Sequence, residues 1–349
     1  MLPNIAVTMG DPAGVGPEVI AAAWSDPGTH ERCRPFVVGR PALLRRAAQM
    51  WKLPLRVVEI RDPEEAAPSP ALLPCLAVGT PDADDTPPGA PSALGGQAAF
   101  DALREATDFA LAGRVDAITT APLNKAALWQ AGHHYPGHTE LLADWCGVND
   151  FAMMLYLAHD ATIRGSAGLA VVHATLHMAL REVFEHLDTA SVLAKAHLAH
   201  RFMLALKGSR PKIGVTALNP HAGETGLFGD EELRVIAPAV AQARIGGLDI
   251  EGPYPADTVM IRARDGDFDA VVAMYHDQGH IALKLLGMHR AVNVTLGLPI
   301  IRTSVAHGTA FDVAWQKKAN PASMIEALRV AALLVNRREA EAQRAQAIS

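Results

Sequence analysis

The sequence holds few cysteines: Cys33, Cys75 and Cys146 are the only ones among its 349 residues. Three scattered thiols form neither a disulfide framework nor the paired cysteines of a structural zinc motif. Disulfide frameworks stabilise small secreted domains, so their absence here favours a reducing compartment. We therefore expect a cytoplasmic protein whose stability comes from its apolar core.

Basic charge is not in excess either, since 31 Lys and Arg residues stand against 37 Asp and Glu, a formal net charge of -6. Such a chain has no overall positive field to hold a phosphate backbone. Apolar runs such as Val330 to Val335 fall far short of the ~20 residues that a membrane helix needs, and no basic segment precedes the apolar start. We expect neither nucleic acid nor a membrane as a partner, while small anions can still bind at local sites.

The sequence is rich in apolar stretches, and half of its residues are hydrophobic. Its length exceeds what one hydrophobic core usually serves, which predicts two lobes. Stretches rich in Val and Ile recur, each followed by a turn and helix-like periodicity, and this alternation predicts an α/β fold with a buried sheet. The predicted strands are Ile5–Val7, Phe36–Val38, Ala117–Ile118, Leu169–Val172, Ile213–Val215 and Ala270–Met274.

Helices and one irregular segment are predicted between and after these strands. A helix lies between Gln97 and Gly113, and a second begins at about Ser323 and ends in solvent with its charged residues 337–344. The segment 63–96 carries eight prolines and is predicted to be an irregular surface connection. The residues predicted to share one face of the first helix are Phe100, Leu103, Thr107, Ala110 and Leu111.

The first motif, MGDPAGVGPE, directly follows the first predicted strand. Its glycines let the backbone turn tightly and approach a ligand, and a helix N-terminus after them favours anions. The spacing of Gly10, Gly14 and Gly16 is not the dinucleotide fingerprint, and the Lys-Ser/Thr ending of a P-loop is missing. An anion site and a plain strand-to-helix turn both remain open.

Polar residues after other strands are further candidates, because ligands of open α/β sheets bind beyond the carboxyl ends of the strands. The segment TTAPLNK follows a predicted buried strand, and the segment GHTE begins a predicted helix. Thr139 and Glu140 of the second segment can instead cap that helix, and both interpretations stay open.

The 15 histidines are the richest pattern. The pairs His173/His177 and His276/His280 have the i, i+4 spacing of zinc hydrolases, but neither has the Glu that the metalloprotease motif requires after its first His. We therefore reject both pairs as such sites. Three histidines, His177, His221 and His276, each follow an apolar strand inside a polar turn, and three imidazoles with open positions are a catalytic zinc arrangement.

Other polar residues extend this candidate site. Asp257 and Asp277 are predicted either to complete the metal shell or to orient its ligands. Lys284, Asn293 and Arg302 follow; Lys supplies a compact charge and Arg a bidentate fork, which suit phosphate or carboxylate. Near the end of the chain, HGTAFD and ANP combine small, hydroxyl, Asp and Asn side chains that can line an adenosine pocket without Rossmann geometry.

Together these segments resemble the 4-hydroxythreonine-4-phosphate dehydrogenase family (PdxA-like proteins) nearly end to end. The motifs that carry the resemblance are GDPAGVGPE, TAPLNK, YPGHTELLA, NPHAGETGLFG, MYHDQGH, VNVTLGLPIIRTS and HGTAFD. The resemblance implies a two-lobed α/β/α subunit of the isocitrate/isopropylmalate dehydrogenase-like fold that acts as a homodimer with NAD and a divalent metal. Zinc is expected first, with magnesium, manganese or cobalt as alternatives. We place a cofactor-side lobe at 1–130 plus 296–349, and a metal, substrate and dimerisation lobe at 131–295.

The resemblance also implies a role for each candidate residue, with both subunits contributing to one metal site. Its metal ligands are His177, His221 and His276. Its substrate contacts are His138, Thr139, Lys284, Asn293 and Arg302, and its catalytic candidates are His138, Asp257 and Asp277. Its NAD contacts are His307, Gly308, Thr309, Asp312 and Asn320.

The implied reaction oxidises a secondary alcohol of an anionic hydroxy acid, with β-decarboxylation as a further step where a carboxylate neighbours the new ketone. The metal acts as a Lewis acid on the hydroxyl while a base takes the proton and hydride passes to the nicotinamide. The same metal stabilises the enolate that loss of CO2 would leave. Both His138 and an aspartate near the metal stay open as the base.

Two departures from the family pattern bear on the ligands. Ala306 precedes HGTAFD where relatives commonly have Asp, and Lys317 and Lys318 follow it; these lysines can attract an added phosphate, so NADP stays open beside the preferred NAD. The sequence HDQGH is more similar to catabolic paralogues, which act on 4-phospho-threonate or 4-phospho-erythronate or on terephthalate cis-dihydrodiol. A zinc hydrolase and a non-catalytic metal- or anion-binding protein are more remote alternatives.

Overall fold

The structure, a computed structural model, describes residues 2–348 and the side chains of residues 2–340 and 343. Its strands are β1 (Asn4–Thr8), β2 (Arg34–Gly39), β3 (Arg56–Ile60), β4 (Leu72–Ala77), β5 (Ala117–Thr120), β6 (Ala152–Leu157), β7 (Leu169–His173), β8 (Lys212–Thr216), β9 (Asp249–Tyr254), β10 (Ala270–Ala273), β11 (Val292–Leu296) and β12 (Ile301–Val305). Its α-helices are α1 (Gly16–Trp24), α2 (Pro27–Arg32), α3 (Pro41–Trp51), α4 (Ala93–Leu111), α5 (Lys125–Gln130), α6 (His138–Trp145), α7 (Val183–His186), α8 (Thr189–Lys207), α9 (Ala237–Ile245), α10 (Ala256–Arg264), α11 (His276–Gly287) and α12 (Ala322–Ile348). Within the described range, none of these helices has both the length and the apolar character needed to span a bilayer.

The chain divides into two compact units, Met1–Gly147 with Leu298–Ser349 (unit 1) and Val148–Gly297 (unit 2). The chain passes from unit 1 to unit 2 after residue 147 and returns to unit 1 after residue 297. The sequence predicts these two boundaries after residues 130 and 295. Residues 131–147 belong to unit 1 because α6 packs there: Leu141 and Leu142 are fully buried in the same core cluster as Ala102 of α4.

Unit 1 is an α/β/α sandwich. Its strands lie in the order β3-β4-β2-β1-β5-β12, and the neighbouring pairs are parallel. Successive residues of β1 face opposite sides of the sheet, as the pleat requires: Ile5 and Val7 pack with α1, α3 and α12, whereas Ala6 packs with α4 and α6. The predicted α/β class is thereby confirmed.

Unit 2 has a mixed sheet. Its strands lie in the order β11-β6-β7-β10-β8-β9, and β6 runs antiparallel to both of its neighbours. The pairs of β10 with β7 and β8, and of β8 with β9, are parallel. Helix α8 packs against β7 and β10, and α11 packs against β6 and β7. This sheet positions the histidine-bearing segments, which follow β7, β8 and β10.

All the strands predicted from apolar stretches are confirmed, but the interpretation of 63–96 as an irregular connection was wrong in its middle. Leu72–Ala77 is strand β4, which is largely buried and pairs with both β2 and β3. Prolines flank this strand, and Pro74 lies within it, so composition alone concealed it.

The two predicted helices are confirmed as α4 and α12, with one error of orientation. Leu103 and Thr107 of α4 are buried as predicted, but Leu111 is 46% exposed. Small residues, among them Ala102 and Ala106, form the buried face instead. On α12, Arg338 is exposed as predicted, whereas the side chain of residue 344 lies outside the described residues.

Candidate functional site

The glycine-rich turn after β1 joins three of the motifs. Its residues from Gly10 to Gly16 are buried, and α1 begins at Gly16. Gly10 has a φ of 71°, and a Cβ there would collide with the carbonyl oxygen of Pro122 in the TAPLNK motif. A Cβ on Gly14 would lie 2.8 Å from the carbonyl oxygen of Thr309 in HGTAFD. The glycines therefore permit close backbone packing, which supports the interpretation as a strand-to-helix turn.

Sequence reasoning missed Asp11, which lies in the same turn and is fully buried. Its Oδ1 accepts a hydrogen bond of 2.9 Å from the backbone N–H of Ala13, while its Oδ2 has no hydrogen-bond partner among the described residues. Burial raises the pKa of Asp11 to about 6, because an apolar surrounding disfavours the charged carboxylate. A carboxyl inside a glycine-rich segment was the pattern that could have indicated it.

Arg302 is a buried cation on β12. Its side chain is almost inaccessible to solvent, and its Nη2 donates a hydrogen bond of 2.7 Å to Oγ1 of Thr120, the last residue of β5. Burial lowers the pKa of Arg302 to about 9, although the nearby carboxylate of Glu140 raises it. A guanidinium in such surroundings is more stable with an anion beside it. Arg302 is thus a buried cation where the sequence predicts an anion-binding residue, and that role stays a prediction.

His138 and Thr139 lie at the start of α6, in the same unit as Arg302. The N-cap of α6 is Gly137, which has no side chain, so Thr139 and Glu140 lie in the first turn of the helix and not at its N-cap. Burial and the positive charge of Arg302 hold the pKa of His138 well below its usual value. Thr139 is buried. The structure therefore brings a neutral imidazole into the field of a buried guanidinium.

The HGTAFD segment is anchored to the glycine-rich turn. The backbone carbonyl of Thr309 accepts a hydrogen bond of 3.0 Å from Val15, and Nδ1 of His307 donates one of 2.9 Å to the carbonyl of Gly308. A Cβ on Gly308 would meet open space, so nothing within the described chain requires glycine at this position. Asp312 is exposed. This predicted NAD segment is thus fixed at Thr309 and open at Gly308.

A buried carboxylate that sequence reasoning missed fixes the residues after HGTAFD. Glu18 of α1 accepts hydrogen bonds from the backbone N–H groups of Trp315 and Lys317 and from Nε1 of Trp51. The side chain of Lys317 remains exposed. Asn320 has a local role, since its Oδ1 accepts a hydrogen bond from the backbone N–H of residue 322 at the start of α12.

In unit 2, His276 is the first residue of α11 and is oriented by its neighbour. Its Nδ1 lies 2.6 Å from Oδ1 of Asp277, which can only accept, so Nδ1 donates and Nε2 keeps its lone pair for a ligand. The His177 ring lies 5.7 Å from the His276 ring, centroid to centroid. Both histidines line one open cleft together with Tyr275 and Leu180. Asp277 is therefore placed as an orienting residue.

His221 lies on an unusual turn after β8. Five consecutive residues, 221–225, have positive φ values, from 43° at Glu224 to 76° at Gly223, so the chain forms one left-handed turn. Each non-glycine residue in this region costs roughly 1–2 kcal/mol. The buried carboxylate of Glu232 holds the base of the turn, accepting hydrogen bonds from the backbone N–H groups of Leu218 and Asn219. Sequence reasoning missed Glu232.

The part of the chain that the structure describes contains no group of three or more His, Cys, Asp or Glu side chains suited to hold a metal ion. His177 and His276 fit as two ligands of a divalent metal, because His276 is already oriented through Nδ1 and neutral imidazoles are common metal ligands. The three histidines predicted as ligands are not assembled into one group within the described chain. Their joint role stays a prediction.

The remaining predicted residues of unit 2 have separate positions. Lys284 lies two turns after His276 on α11 and is partly buried. Asn293 lies on β11, and its buried Oδ1 has no hydrogen-bond partner among the described residues. Asp257 lies in the first turn of α10 and is exposed.

Comparisons with known proteins agree with these features. Residues 31–331 match the family described as pyridoxal phosphate biosynthetic protein PdxA. The chain is 46% identical to D-threonate 4-phosphate dehydrogenase of Salmonella typhimurium, over 94% of this chain and 98% of that one. It is 46% identical to a crystal structure of 4-hydroxythreonine-4-phosphate dehydrogenase from Klebsiella pneumoniae, with a TM-score of 0.83 over 95% and 99% of the two chains. A terephthalate 1,2-cis-dihydrodiol dehydrogenase structure from Burkholderia xenovorans is more distant, at 29% identity and a TM-score of 0.62 over 95% and 98%.

Proposed function

Because this chain belongs to the PdxA family and is an oxidoreductase, we propose that it is an NAD- and divalent-metal-dependent dehydrogenase of a 4-phosphorylated hydroxy acid. D-threonate 4-phosphate is the first candidate substrate, since the Salmonella relative bears that name and the chain has the HDQGH sequence. The reaction oxidises a secondary alcohol. Decarboxylation follows where the product is a β-keto acid.

The observation that carries the proposal is the buried Arg302. Desolvation by burial lowers its pKa to about 9, and its Nη2 donates a hydrogen bond to Oγ1 of Thr120 at the end of β5. A phosphate or carboxylate of the substrate would place negative charge beside this buried guanidinium and accept two parallel hydrogen bonds from it. Thr120, His138 and Thr139 would complete this anion site in unit 1.

The chain's own groups can also move a proton. His138 is neutral at pH 7 because its pKa is held well below the usual value, so the ring has a lone pair available to accept a proton from a substrate hydroxyl. Asp277 is engaged with His276, which makes it an orienting group rather than a base. We therefore favour His138 as the general base and treat Asp257 as the remaining candidate.

A divalent metal held by His177 and His276 would act as a Lewis acid on the substrate hydroxyl, and NAD would accept the hydride. We propose that a homodimer forms and that His221, presented on its exposed left-handed turn, contributes to the metal site across it. Zinc suits an imidazole-rich ligand set. Lys284 and Asn293, whose Oδ1 has no hydrogen-bond partner among the described residues, stay proposed substrate contacts.

We propose that HGTAFD contacts NAD through His307, Gly308, Thr309 and Asp312. The open space beside Gly308 supports this, because that glycine admits the close approach of a ligand. Asn320 is the weakest of the predicted cofactor residues, since its side-chain oxygen is already engaged by the start of α12.

The test is an NAD-reduction assay at equal concentrations of D-threonate 4-phosphate, 4-hydroxythreonine 4-phosphate and terephthalate cis-dihydrodiol, each with and without a chelator. The first two differ at one carbon, which bears a hydroxyl or an amino group. We expect the highest kcat/KM with D-threonate 4-phosphate, no activity after chelation, recovery with zinc, and CO2 release. Activity that survives removal of the metal would contradict the proposal, and a preference for the dihydrodiol would contradict the substrate class. Repeating the assay with NADP tests the coenzyme.

A further inference from the structure

We propose that His173 and His280 form a hydrogen-bonded pair that positions His276, so that both are positioning residues for the metal site. The inference rests on the proposed function in one respect, the role of His276 as a metal ligand. These are the two histidines that the i, i+4 pairs left without a role once the metalloprotease motif was rejected.

The pair is buried between the sheet and α11. His173 is the last residue of β7 and is fully buried, and His280 is nearly so. Nδ1 of His280 lies 3.1 Å from Nε2 of His173, and Nδ1 of His173 lies 3.3 Å from the backbone carbonyl of Met153 on β6. Gly279 permits this contact, because a Cβ there would lie 2.7 Å from Nε2 of His173. The two rings are thus tied to the backbone of the sheet.

The direction of each hydrogen bond follows from the carbonyl at its end. A carbonyl oxygen only accepts, so Nδ1 of His173 carries the proton and Nε2 of the same neutral ring has a lone pair. That lone pair must receive the proton of Nδ1 on His280. Both rings are therefore fixed as the Nδ1–H tautomer, and neither can flip without breaking a buried hydrogen bond.

The pair acts on His276 through ring stacking. The rings of His280 and His276 lie one helical turn apart, with centroids 3.8 Å apart and planes 13° from parallel. Asp277 determines which nitrogen of His276 is free for a ligand, whereas the stacked ring of His280 determines the plane in which that nitrogen points. Residues that orient a metal ligand typically change metal affinity by about 10- to 100-fold when they are replaced.

The test compares His173→Leu, which removes the acceptor, with His173→Gln, whose side-chain oxygen can accept the proton of His280 in place of Nε2. Nitrogen NMR of metal-free protein labelled in histidine reports the tautomers, and competition with a chelator reports zinc affinity. We expect the Nδ1–H form at both residues in the wild type. His173→Leu should lose that form at His280 and weaken zinc binding by about 10- to 100-fold, whereas His173→Gln should retain both properties.

His276→Ala separates this inference from the proposed function. If His276→Ala weakens zinc binding while His173→Leu, folded by its melting temperature, binds zinc like the wild type, the positioning role is overturned and the metal site stands. An Nε2–H tautomer at His280 in the wild type would overturn it as well. If His276→Ala binds zinc normally, the proposed metal site fails and the inference fails with it.

Discussion

The two units hold their candidate residues in opposite ways. In unit 1, Arg302 is 1% exposed and Thr309 is 7% exposed. Thr309 lies against the glycine-rich turn, and Arg302 donates a hydrogen bond to the side-chain hydroxyl of Thr120 on β5. In unit 2, His177, His221 and Asp277 are exposed. Unit 1 therefore holds Arg302 and Thr309 in place by its own packing, whereas these candidate residues of unit 2 are accessible to solvent.

The largest expected effect tests how tightly unit 1 is packed. Gly10→Ala adds a methyl group against the carbonyl of Pro122 at a positive φ, so it should lower the free energy of unfolding by about 4 kcal/mol. Gly247→Ala in unit 2 is the matched control, because Gly247 also has a positive φ but open space around it; there we expect about 1 kcal/mol. Urea unfolding of both variants measures the difference. Equal losses would mean that packing does not distinguish the two turns.

The next effect compares a buried cation with a half-buried one. Arg302→Ala removes a guanidinium from a site with almost no solvent, so kcat/KM for the phosphorylated substrate should fall by about 10²- to 10³-fold. Lys284→Ala removes a partly exposed charge of unit 2 and should cost about tenfold. Arg302→Lys should recover part of the activity. If the two alanine variants lose the same factor, burial is not what makes Arg302 effective.

A third prediction concerns the pH dependence of unit 1. The pKa of Asp11 in the folded chain is about 6, above its ordinary value of 3.8. Between these values the folded chain holds a proton that the unfolded chain has released, so the contribution of Asp11 to stability is complete below pH 3.8 and is lost as pH rises through 6. Two pKa units correspond to about 3 kcal/mol.

Asp11→Asn has no carboxyl group to titrate, so it removes the loss of stability between pH 3.8 and pH 6, and its Oδ1 can still accept the hydrogen bond from the backbone N–H of Ala13. Measured by urea unfolding, the variant should therefore gain about 3 kcal/mol on the wild type between pH 3.5 and pH 7.5. A constant difference between the two proteins over that range would contradict the assignment.

The smallest effect tests the support of the left-handed turn in unit 2. In the wild type, Nδ2 of Asn219 donates a hydrogen bond to Oε2 of Glu232. Glu232→Gln keeps an oxygen that accepts from the backbone N–H groups of Leu218 and Asn219, but it places an NH2 donor against the Nδ2 donor of Asn219. The mismatch should destabilise the turn by about 1–2 kcal/mol and speed amide hydrogen exchange at Leu218 and Asn219. Glu231→Gln is the control, because Oε2 of Glu231 also accepts a hydrogen bond from Nδ2 of Asn219, whereas the backbone N–H groups of Leu218 and Asn219 donate to Glu232. Unchanged exchange in Glu232→Gln would show that the turn holds itself.

The sequence predicts the class of fold because buried parallel strands are apolar throughout, as Phe36–Val38 and Ala270–Met274 are. It conceals β4, since the prolines that flank Leu72–Ala77 dominate the composition although the strand itself is buried. It also misplaces the face of α4, because alanines that allow close packing are less conspicuous than Leu111. Whether a small residue is buried depends on which elements pack against it, and the hydrophobicity pattern of one helix does not show this.

For the site, the sequence predicts candidate side chains but not the groups that hold them in place. Arg302, His138, His177 and His276 follow from position after strands and from the family resemblance. Asp11 and Glu18 lie inside the glycine-rich motif and Glu232 lies outside every motif, but in all three cases the role of the carboxylate arises from backbone N–H groups that only the fold brings to it. The same is true of the contact between His173 and His280, which are 107 positions apart.

The left-handed turn at 221–225 would mislead a search for heat-resistant variants. Glycine adopts positive φ without a steric penalty, so replacing Ala222, Glu224 or Thr225 by glycine would relieve up to about 1 kcal/mol at each position. A selection that rewards only survival at high temperature would therefore accumulate glycines there. These glycines would make the segment that carries His221 more flexible while the melting temperature rose. A search for stable variants of this enzyme therefore needs a second selection for metal binding.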